Sequence, residues 1–156
     1  MLVISDTSPL TALLLARRES LLAQIFDRVV IPPAVESELL RVHSSLPAWI
    51  EIIAPRSIPA SVSVAGLDAG ETEAISLALE LHPDAVLMDE RLGRRLATAH
   101  GLNVTGLLGF LVLAKQRKLI PEVVTVIREV QSLGNCWFDQ RLIEVVCHSA
   151  GETWSP

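Results

Sequence analysis

The sequence predicts an α/β fold in which a mainly parallel sheet lies between two layers of helices. Short apolar runs alternate with helical patterns from residue 2 to residue 105. Strands of four or five apolar residues without polar alternation are typical of parallel strands that are buried on both faces. A chain of 156 residues suits one domain of ordinary size and leaves no room for a second. We therefore expect a three-layer α/β/α sandwich.

The predicted elements have local signals at their ends. The strands are apolar runs rich in Val, Ile and Leu, at 2–5, 28–31, 85–88 and 102–105, and residues 49–53 are either a short strand or an extended segment. The helices are periodic segments that begin at cap residues or prolines, at 10–17, 21–26, 33–43, 70–81, 89–99, 107–114, 121–133 and 138–148. Pro9 and Pro33 suit the first turn of a helix, and Gly101 and Gly106 bound the last strand.

Two segments are expected to be irregular. Residues 54–66 contain two prolines and three serines, which predicts one long loop. Residues 1–150 are predicted to form the single domain, and residues 151–156 a frayed tail.

Composition and charge exclude several classes of protein. Half of the residues are hydrophobic and the mean hydropathy is +0.44, yet the longest apolar stretch, 107–114, is far shorter than the roughly 20 residues of a membrane span. The first residues lack the pattern of a secretory signal, so a soluble, cytoplasmic protein without a membrane partner is expected. A net charge of −5 argues against broad electrostatic binding of nucleic acid. Cys136 and Cys147 lack metal-binding spacing, which predicts free thiols.

Two carboxylates directly follow predicted strands. Asp6 comes after the first strand, and Asp89 comes after the strand at 85–88. In open parallel sheets, ligands bind outside the carboxyl ends of the strands, so both side chains are expected to point into one crevice. Each residue could equally cap the helix that follows it.

Two further carboxylates lie on predicted helices. Glu71 falls within the apolar arc of its helix, whereas Glu73 falls on the opposite side. In the helix that follows the second strand, Glu38 lies at the edge of the apolar face and Glu36 on the far side. Glu71 also lies in the first helical turn, where the helix dipole favours an anion, so a capping role stays open.

Four carboxylates that point into an apolar protein cannot all ionise unpaired, because one uncompensated buried charge costs several kcal/mol. A bound cation removes this cost. Oxygen ligands without His or Cys favour Mg²⁺ or Mn²⁺ over zinc. Such ions activate water and stabilise charge on a phosphoryl group, so the favoured chemistry is hydrolysis of a phosphodiester.

The segments around these acids resemble PIN-domain nucleases, and more closely a prokaryotic subfamily that is related to VapC toxins and often described only as a domain of unknown function. The resemblance covers nearly the whole chain and rests on the following segments: ISDTSPL at 4–10, VVIPPAVESEL at 29–39, LDAGETEAI at 67–75, LMDER at 87–91, GRRLA at 93–97 and GLLG at 106–109. No single motif is specific, and the signal lies in four acids in order on the appropriate elements.

The resemblance implies a three-layer α/β/α fold and a Mg²⁺- or Mn²⁺-dependent endoribonuclease site. Asp6, Glu38 and Asp89 match the metal-binding acids of the family, and Glu71 matches the remaining acidic position. Glu73 is the alternative to Glu71 if the helix is phased differently. These acids would hold one or two ions and carry out catalysis.

The resemblance also implies partners. The substrate would be RNA, cut to leave a 5′-phosphate and a 3′-hydroxyl, and a toxin would be paired with an antitoxin protein. A homodimer is expected, with the apolar helices over residues 10–26 as the self-association surface. Ser8 matches a hydroxyl near the first acid, although it could equally cap a helix. Six basic residues are either phosphate contacts or a solvated surface: Arg91, Arg94, Arg95, Lys115, Arg117 and Lys118.

Two other functions compete with this interpretation. The first is a catalytically silent PIN-like module that binds RNA or a protein and keeps the acids for charge or capping. The second is a phosphotransfer domain, because Asp6 follows the first strand. The segment after Asp6 lacks the second Asp of a DxD motif, and no Lys follows a late strand, which argues against this second alternative.

Overall fold

Five short strands lie at the centre of the computed structural model, which describes residues 1–156. They are β1 (Leu2–Ser5), β2 (Arg28–Ile31), β3 (Ile50–Ile52), β4 (Ala85–Leu87) and β5 (Val104–Thr105). All neighbouring strands are parallel, in the spatial order β3-β2-β1-β4-β5. Parallel strands require a crossover connection between them, which the helical segments supply. The prediction of a parallel sheet is confirmed.

Nine helices connect and cover the strands. They are α1 (Thr7–Leu15), α2 (Ser20–Ile25), α3 (Pro33–Leu39), α4 (Ala60–Ser63), α5 (Ala69–Leu81), α6 (Arg91–Ala99), α7 (Leu107–Gln116), α8 (Val123–Ser132) and α9 (Gln140–Ser149). The longest, α5, has 13 residues. None combines the length and the apolar character needed to cross a bilayer.

The side chains of the sheet divide between two hydrophobic cores because successive strand residues point to opposite faces. Val3 of β1 and Leu87 of β4 lie in the larger core, to which α1, α2, α3, α7, α8 and α9 contribute side chains. Ile4 and Val86 lie in the smaller core, beneath α4, α5 and α6. Each large apolar side chain that is fully buried contributes about 1.5–3 kcal/mol. Both faces are therefore covered, and the predicted three-layer sandwich is confirmed.

The predicted bounds of the elements agree with the structure to within three residues except in two places. Helix α3 ends at Leu39 rather than at residue 43, so Val42 leaves the helical face and is 61% exposed. The predicted loop 54–66 contains the short helix α4, which begins after Pro59 and buries Val62 in the smaller core. Burial of Val62 explains why an otherwise polar and proline-rich segment forms a helical turn.

The helices over residues 10–26 do not provide the predicted self-association surface. Leu10, Leu13 and Leu22 are fully buried in the larger core, and Ile25 is 7% exposed. Among their large apolar side chains, Leu15 is 36% exposed and Leu14 is partly buried against the larger core. The apolar pattern of this segment reflects packing within the chain.

The segment 151–156, for which the sequence predicts a frayed tail, contacts α7 and α8 through Glu152 and Trp154. Glu152 Oε1 accepts hydrogen bonds from Lys115 Nζ at 2.6 Å and from the Val123 amide at 2.8 Å, and Oε2 accepts one from the Val124 amide at 2.9 Å. These two amides are at the start of α8, where backbone N–H groups have no acceptor within the helix. Trp154 adds a cation–π contact with a guanidinium group of α8 at 4.9 Å.

Replacing Glu152 with Ala should therefore destabilise the fold. The change removes the acceptor for two helix amides and one ammonium group, and the free energy of unfolding should fall by about 1–3 kcal/mol. Urea denaturation followed by circular dichroism measures this loss. The control is Glu144→Ala, which removes an exposed carboxylate from α9. Equal stability of the two variants would contradict the anchoring role of Glu152.

Candidate metal centre

The carboxyl ends of β1 and β4 meet where the strand order reverses, because β2 and β3 extend from one side of β1 while β4 and β5 extend from the other. Open parallel sheets bind ligands outside the carboxyl ends of the strands at such a point. Asp6 follows β1 directly, and Asp89 follows β4 after one residue. The Asp6 amide donates to the Leu87 carbonyl at 2.9 Å, which joins the two strand ends. Both carboxylates thus lie at the carboxyl-terminal edge of the sheet, which is the side on which the parallel strands end.

Glu38 reaches this edge from α3. Its Oε2 accepts a hydrogen bond from Thr7 Oγ1 at the start of α1. A Cβ atom at Gly70 would lie 3.3 Å from Asp6 Oδ1 and 3.1 Å from Glu38 Oε1. The two carboxylates therefore lie over the same glycine, and a side chain at position 70 would compete with them for space.

The side chain of Glu71 is buried, at 6% exposure. The cap of α5 is Asp68, whose Oδ1 accepts a hydrogen bond from the Glu71 amide at 2.8 Å. Glu71 itself packs beside α6, where its Oε2 lies 3.4 Å from the position of a Cβ at Gly93. The capping role is therefore filled by Asp68, and the Glu71 carboxylate points inward.

Glu73 has a different role. Its Oε2 accepts a hydrogen bond from the Ala34 amide at 2.7 Å. Ala34 is in the first turn of α3, where backbone amides lack helical partners. Glu73 thus joins α5 to α3 outside the acidic cluster, and the structure brings Glu71 rather than Glu73 to the edge of the sheet.

Asp89 is held at one oxygen only. Its Oδ1 accepts a hydrogen bond from the Leu107 amide at the start of α7, at 3.1 Å. Its Oδ2 is buried and has no hydrogen-bond partner in the protein. Buried polar atoms without partners are uncommon and often mark an ion or water site. Asp89 therefore does not cap α6, as one interpretation of the sequence allowed, and it has a free ligand atom.

Burial raises the pKa values of Asp6, Glu71 and Asp89, and neighbouring negative charges raise those of Asp6 and Glu71 further. Burial, with the negative charges of Asp68, Glu38 and Asp89, raises the pKa of Asp6 to about 7. Burial, followed by the charges of Asp68 and Asp6, raises the pKa of Glu71 to about 8. Burial also raises the pKa of Asp89, although the Leu107 amide and Arg94 act in the opposite direction.

The donor set suits a hard divalent cation, because all of its atoms are carboxylate oxygens. As the side chains stand, no three His, Cys, Asp or Glu residues are close enough together to ligate one ion. Carboxylates that repel one another across a buried cleft are expected to stay apart without a counter-charge. The unpartnered Asp89 Oδ2 and the raised pKa values are both consistent with a cation as that counter-charge.

Several residues of this region were not predicted from the sequence. Thr7, and not the exposed Ser8, supplies the hydroxyl that contacts an acid of the cluster. The negative charge of Asp68 raises the pKa values of both Asp6 and Glu71. Asp68 stands three residues before Glu71, as an acidic helix cap does, and this spacing could have identified it from the sequence. Arg94 donates a hydrogen bond to the Met88 carbonyl at 2.9 Å, which places the positively charged guanidinium group beside Asp89.

The raised pKa values predict that the metal-free protein loses stability as the pH rises. A carboxyl group whose pKa is higher in the folded state contributes stability below its unfolded pKa and loses it as the pH passes the folded value. Between about pH 4 and pH 8, the free energy of unfolding should therefore fall, because Asp6 and Glu71 each lose a proton that the folded state binds more tightly than the unfolded state.

Urea denaturation in EDTA at several pH values measures this slope. Asp6→Asn should flatten it, whereas the exposed Glu144→Gln should leave it unchanged. A slope that is the same in Asp6→Asn as in the unmodified protein would show that Asp6 is not the titrating group.

Comparison with known proteins agrees with the resemblance found in the sequence. The model of the DUF3368 family, described as a PIN domain, matches residues 2–152. The match includes all five strands and every acid described above. No curated protein matches the chain. PIN domains are generally nucleases and typically use a divalent metal. The match covers almost the whole chain, and the protein therefore belongs to the PIN-domain family.

Proposed function

We propose that the protein is a Mg²⁺- or Mn²⁺-dependent endoribonuclease whose metal is held by Asp6, Glu38, Glu71 and Asp89. The observation that carries the proposal is the position of Asp6 and Asp89 at the reversal of strand order, with Asp89 Oδ2 buried and unpartnered. Glu38 and Glu71 approach the same edge from α3 and α5. This edge of the sheet thus has four carboxylates, of which Asp6 and Glu71 are buried, and an unpartnered oxygen of Asp89 that could ligate a metal.

Neighbouring groups orient the proposed ligands. Thr7 Oγ1 holds one oxygen of Glu38, which leaves the other free. The Leu107 amide holds Asp89 Oδ1 and leaves Oδ2 free. Such fixed outer contacts reduce the reorganisation that ligation requires. When bound, a divalent ion would lower the pKa of a water and stabilise charge on the scissile phosphate.

Basic side chains of α6 would contact the backbone of the RNA. Arg91 and Arg95 are exposed, and Arg94 lies beside Asp89. Lys115 is a poorer candidate, because its ammonium group is engaged by Glu152 and by the Ala150 carbonyl. A short basic surface beside an acidic cluster suits a nucleic-acid substrate even though the net charge is negative.

The likeness to VapC toxins supports RNA as the substrate and a role as the toxin of a toxin–antitoxin pair, with an antitoxin protein and a second copy of the chain as partners. Expression of the toxin alone should arrest bacterial growth. Expression of Asp6→Asn at the same level should not. Normal growth with the unmodified protein would contradict the toxin role while leaving the nuclease proposal open to a direct assay.

Mn²⁺ binding tests the metal site without knowledge of the substrate. Calorimetry should detect binding to the unmodified protein, and Asp6→Asn and Asp89→Asn should each weaken it at least tenfold, because each removes a charged ligand. Asp27→Asn, at an exposed contact with the amino terminus, should bind normally. Mn²⁺-dependent cleavage of single-stranded RNA should be lost in the same two variants. Failure of the unmodified protein to bind millimolar Mn²⁺ would remove the basis of the proposal.

A second pair of variants tests the choice between the two glutamates of α5. Glu71→Gln should weaken Mn²⁺ binding at least tenfold, because it removes a buried negative charge from the cluster. Glu73→Gln keeps an oxygen for the Ala34 amide and should bind normally. The reverse result would place Glu73 in the site.

The alternative is a catalytically silent PIN-like module that binds RNA or a protein. One observation favours it: with a pKa of about 7 for Asp6 and about 8 for Glu71, both groups can carry protons near neutral pH. Bound protons would then balance the cluster in place of a metal. This alternative predicts that RNA binding survives in EDTA and that no cleavage occurs with Mn²⁺.

A further inference from the structure

A cavity of about 400 Å³ opens beside Asp89, on the side of the sheet edge that β5 and α9 form. A volume of this size is within the range of small-molecule sites. The lining residues that matter here are Asp89, Arg94, Thr105, Phe138, Leu142 and Val146. We call this space the α9 cavity.

The two ends of the α9 cavity differ in character. Asp89 and Arg94 are close together at one end, where a Cβ at Gly106 would lie 2.7 Å from Asp89 Oδ1 and 2.6 Å from Arg94 Nη1. The opposite wall is apolar and comes from α9, on which Leu142 and Val146 are one turn apart. The cavity can therefore accept a ligand with an apolar body and a polar or charged end.

A second space adjoins the first at Arg94. It is an open groove of about 460 Å³ that is lined by Arg94, Arg95, Thr98 and Ala99. Arg94 thus separates an apolar cavity from a basic groove on the surface of α6. A nucleotide matches this arrangement of an apolar cavity beside a basic groove. Its flat base would enter the cavity, and its phosphate would lie against the guanidinium groups.

We propose that the α9 cavity binds the nucleobase next to the scissile phosphate, with Phe138 and Leu142 forming its apolar wall and Arg94 contacting the phosphate. The proposal rests on the proposed ribonuclease function, which places a phosphate at Asp89. It assigns α9 a role in substrate selection. Cleavage then depends on which base precedes or follows the cut, because the bases differ in size and in the polar edge that would face Thr105.

The test measures binding of AMP, GMP, CMP and UMP, with ribose 5-phosphate as the reference that lacks a base. Calorimetric titrations are made in the same concentration of Mg²⁺. At least one nucleotide should bind about tenfold or more tightly than ribose 5-phosphate. Leu142→Trp fills the cavity and should remove this difference, and Phe138→Leu, which takes away the aromatic face, should reduce it.

The matched control is Val145→Trp, which adds the same side chain to an adjacent position of α9 that is 65% exposed and does not line the cavity. It should keep the preference for a nucleotide. Leu142 is itself 49% exposed, so its replacement should be tolerated, and thermal unfolding checks this. Mn²⁺ binding should be unchanged in both tryptophan variants.

The outcomes separate this proposal from the proposed function. Equal binding of all four nucleotides and ribose 5-phosphate would overturn the α9 cavity as a base site, as would a preference that Leu142→Trp does not alter. A preference that Leu142→Trp abolishes, in a protein that binds Mn²⁺ but cuts no RNA, would support the base site and contradict the ribonuclease proposal. If RNA is cut, Leu142→Trp should change the base preference of cleavage and Val145→Trp should not.

Discussion

Repulsion among the carboxylates gathered at the carboxyl ends of β1 and β4 is the constraint on which the rest of the structure depends. Asp6, Glu38, Glu71 and Asp89 arrive from four different elements, and several of them lower one another's tendency to ionise. Folding must gather these groups against their mutual repulsion. The two apolar cores supply the necessary stability, because the strands that end at Asp6 and Asp89 are buried on both faces. The high apolar content of the chain thus offsets the free-energy cost of gathering its acidic cluster.

Backbone groups and small side chains position the acids. The Leu107 amide fixes one oxygen of Asp89, and Thr7 fixes one oxygen of Glu38. Asp68 caps α5 and thereby frees Glu71 from that role. Gly70 provides the space in which the carboxylates of Asp6 and Glu38 approach each other. The cluster is therefore built by contacts that hold one atom of a side chain and leave the other available.

The sheet and the positions of Asp6, Glu71 and Asp89 relative to its elements could be anticipated because their signals are local. Buried parallel strands are continuous apolar runs, and Asp6 and Asp89 stand next to two of them. Helical phase favours Glu71 over Glu73, and the contact of Glu73 with the Ala34 amide accounts for the second glutamate. Other features depend on contacts between distant residues. Glu152 binds amides at residues 123 and 124, and Thr7 binds an acid 31 residues away, so neither role leaves a pattern in the neighbouring sequence. The early end of α3 belongs to this second class, because Val42 is 61% exposed and contributes little to either core.

The hydrogen bond from Ala34 to Glu73 has a consequence for how this part of the chain can change. Helix α5 presents Glu71 to the acidic cluster and Glu73, two positions later, to the start of α3. One inserted or deleted residue in the first turn would rotate the helix by about 100° and misdirect both carboxylates at once. The loop before α5 can vary in length without this effect. Insertions and deletions should thus accumulate in residues 64–66, between α4 and Asp68, and be excluded from the turn that follows Asp68.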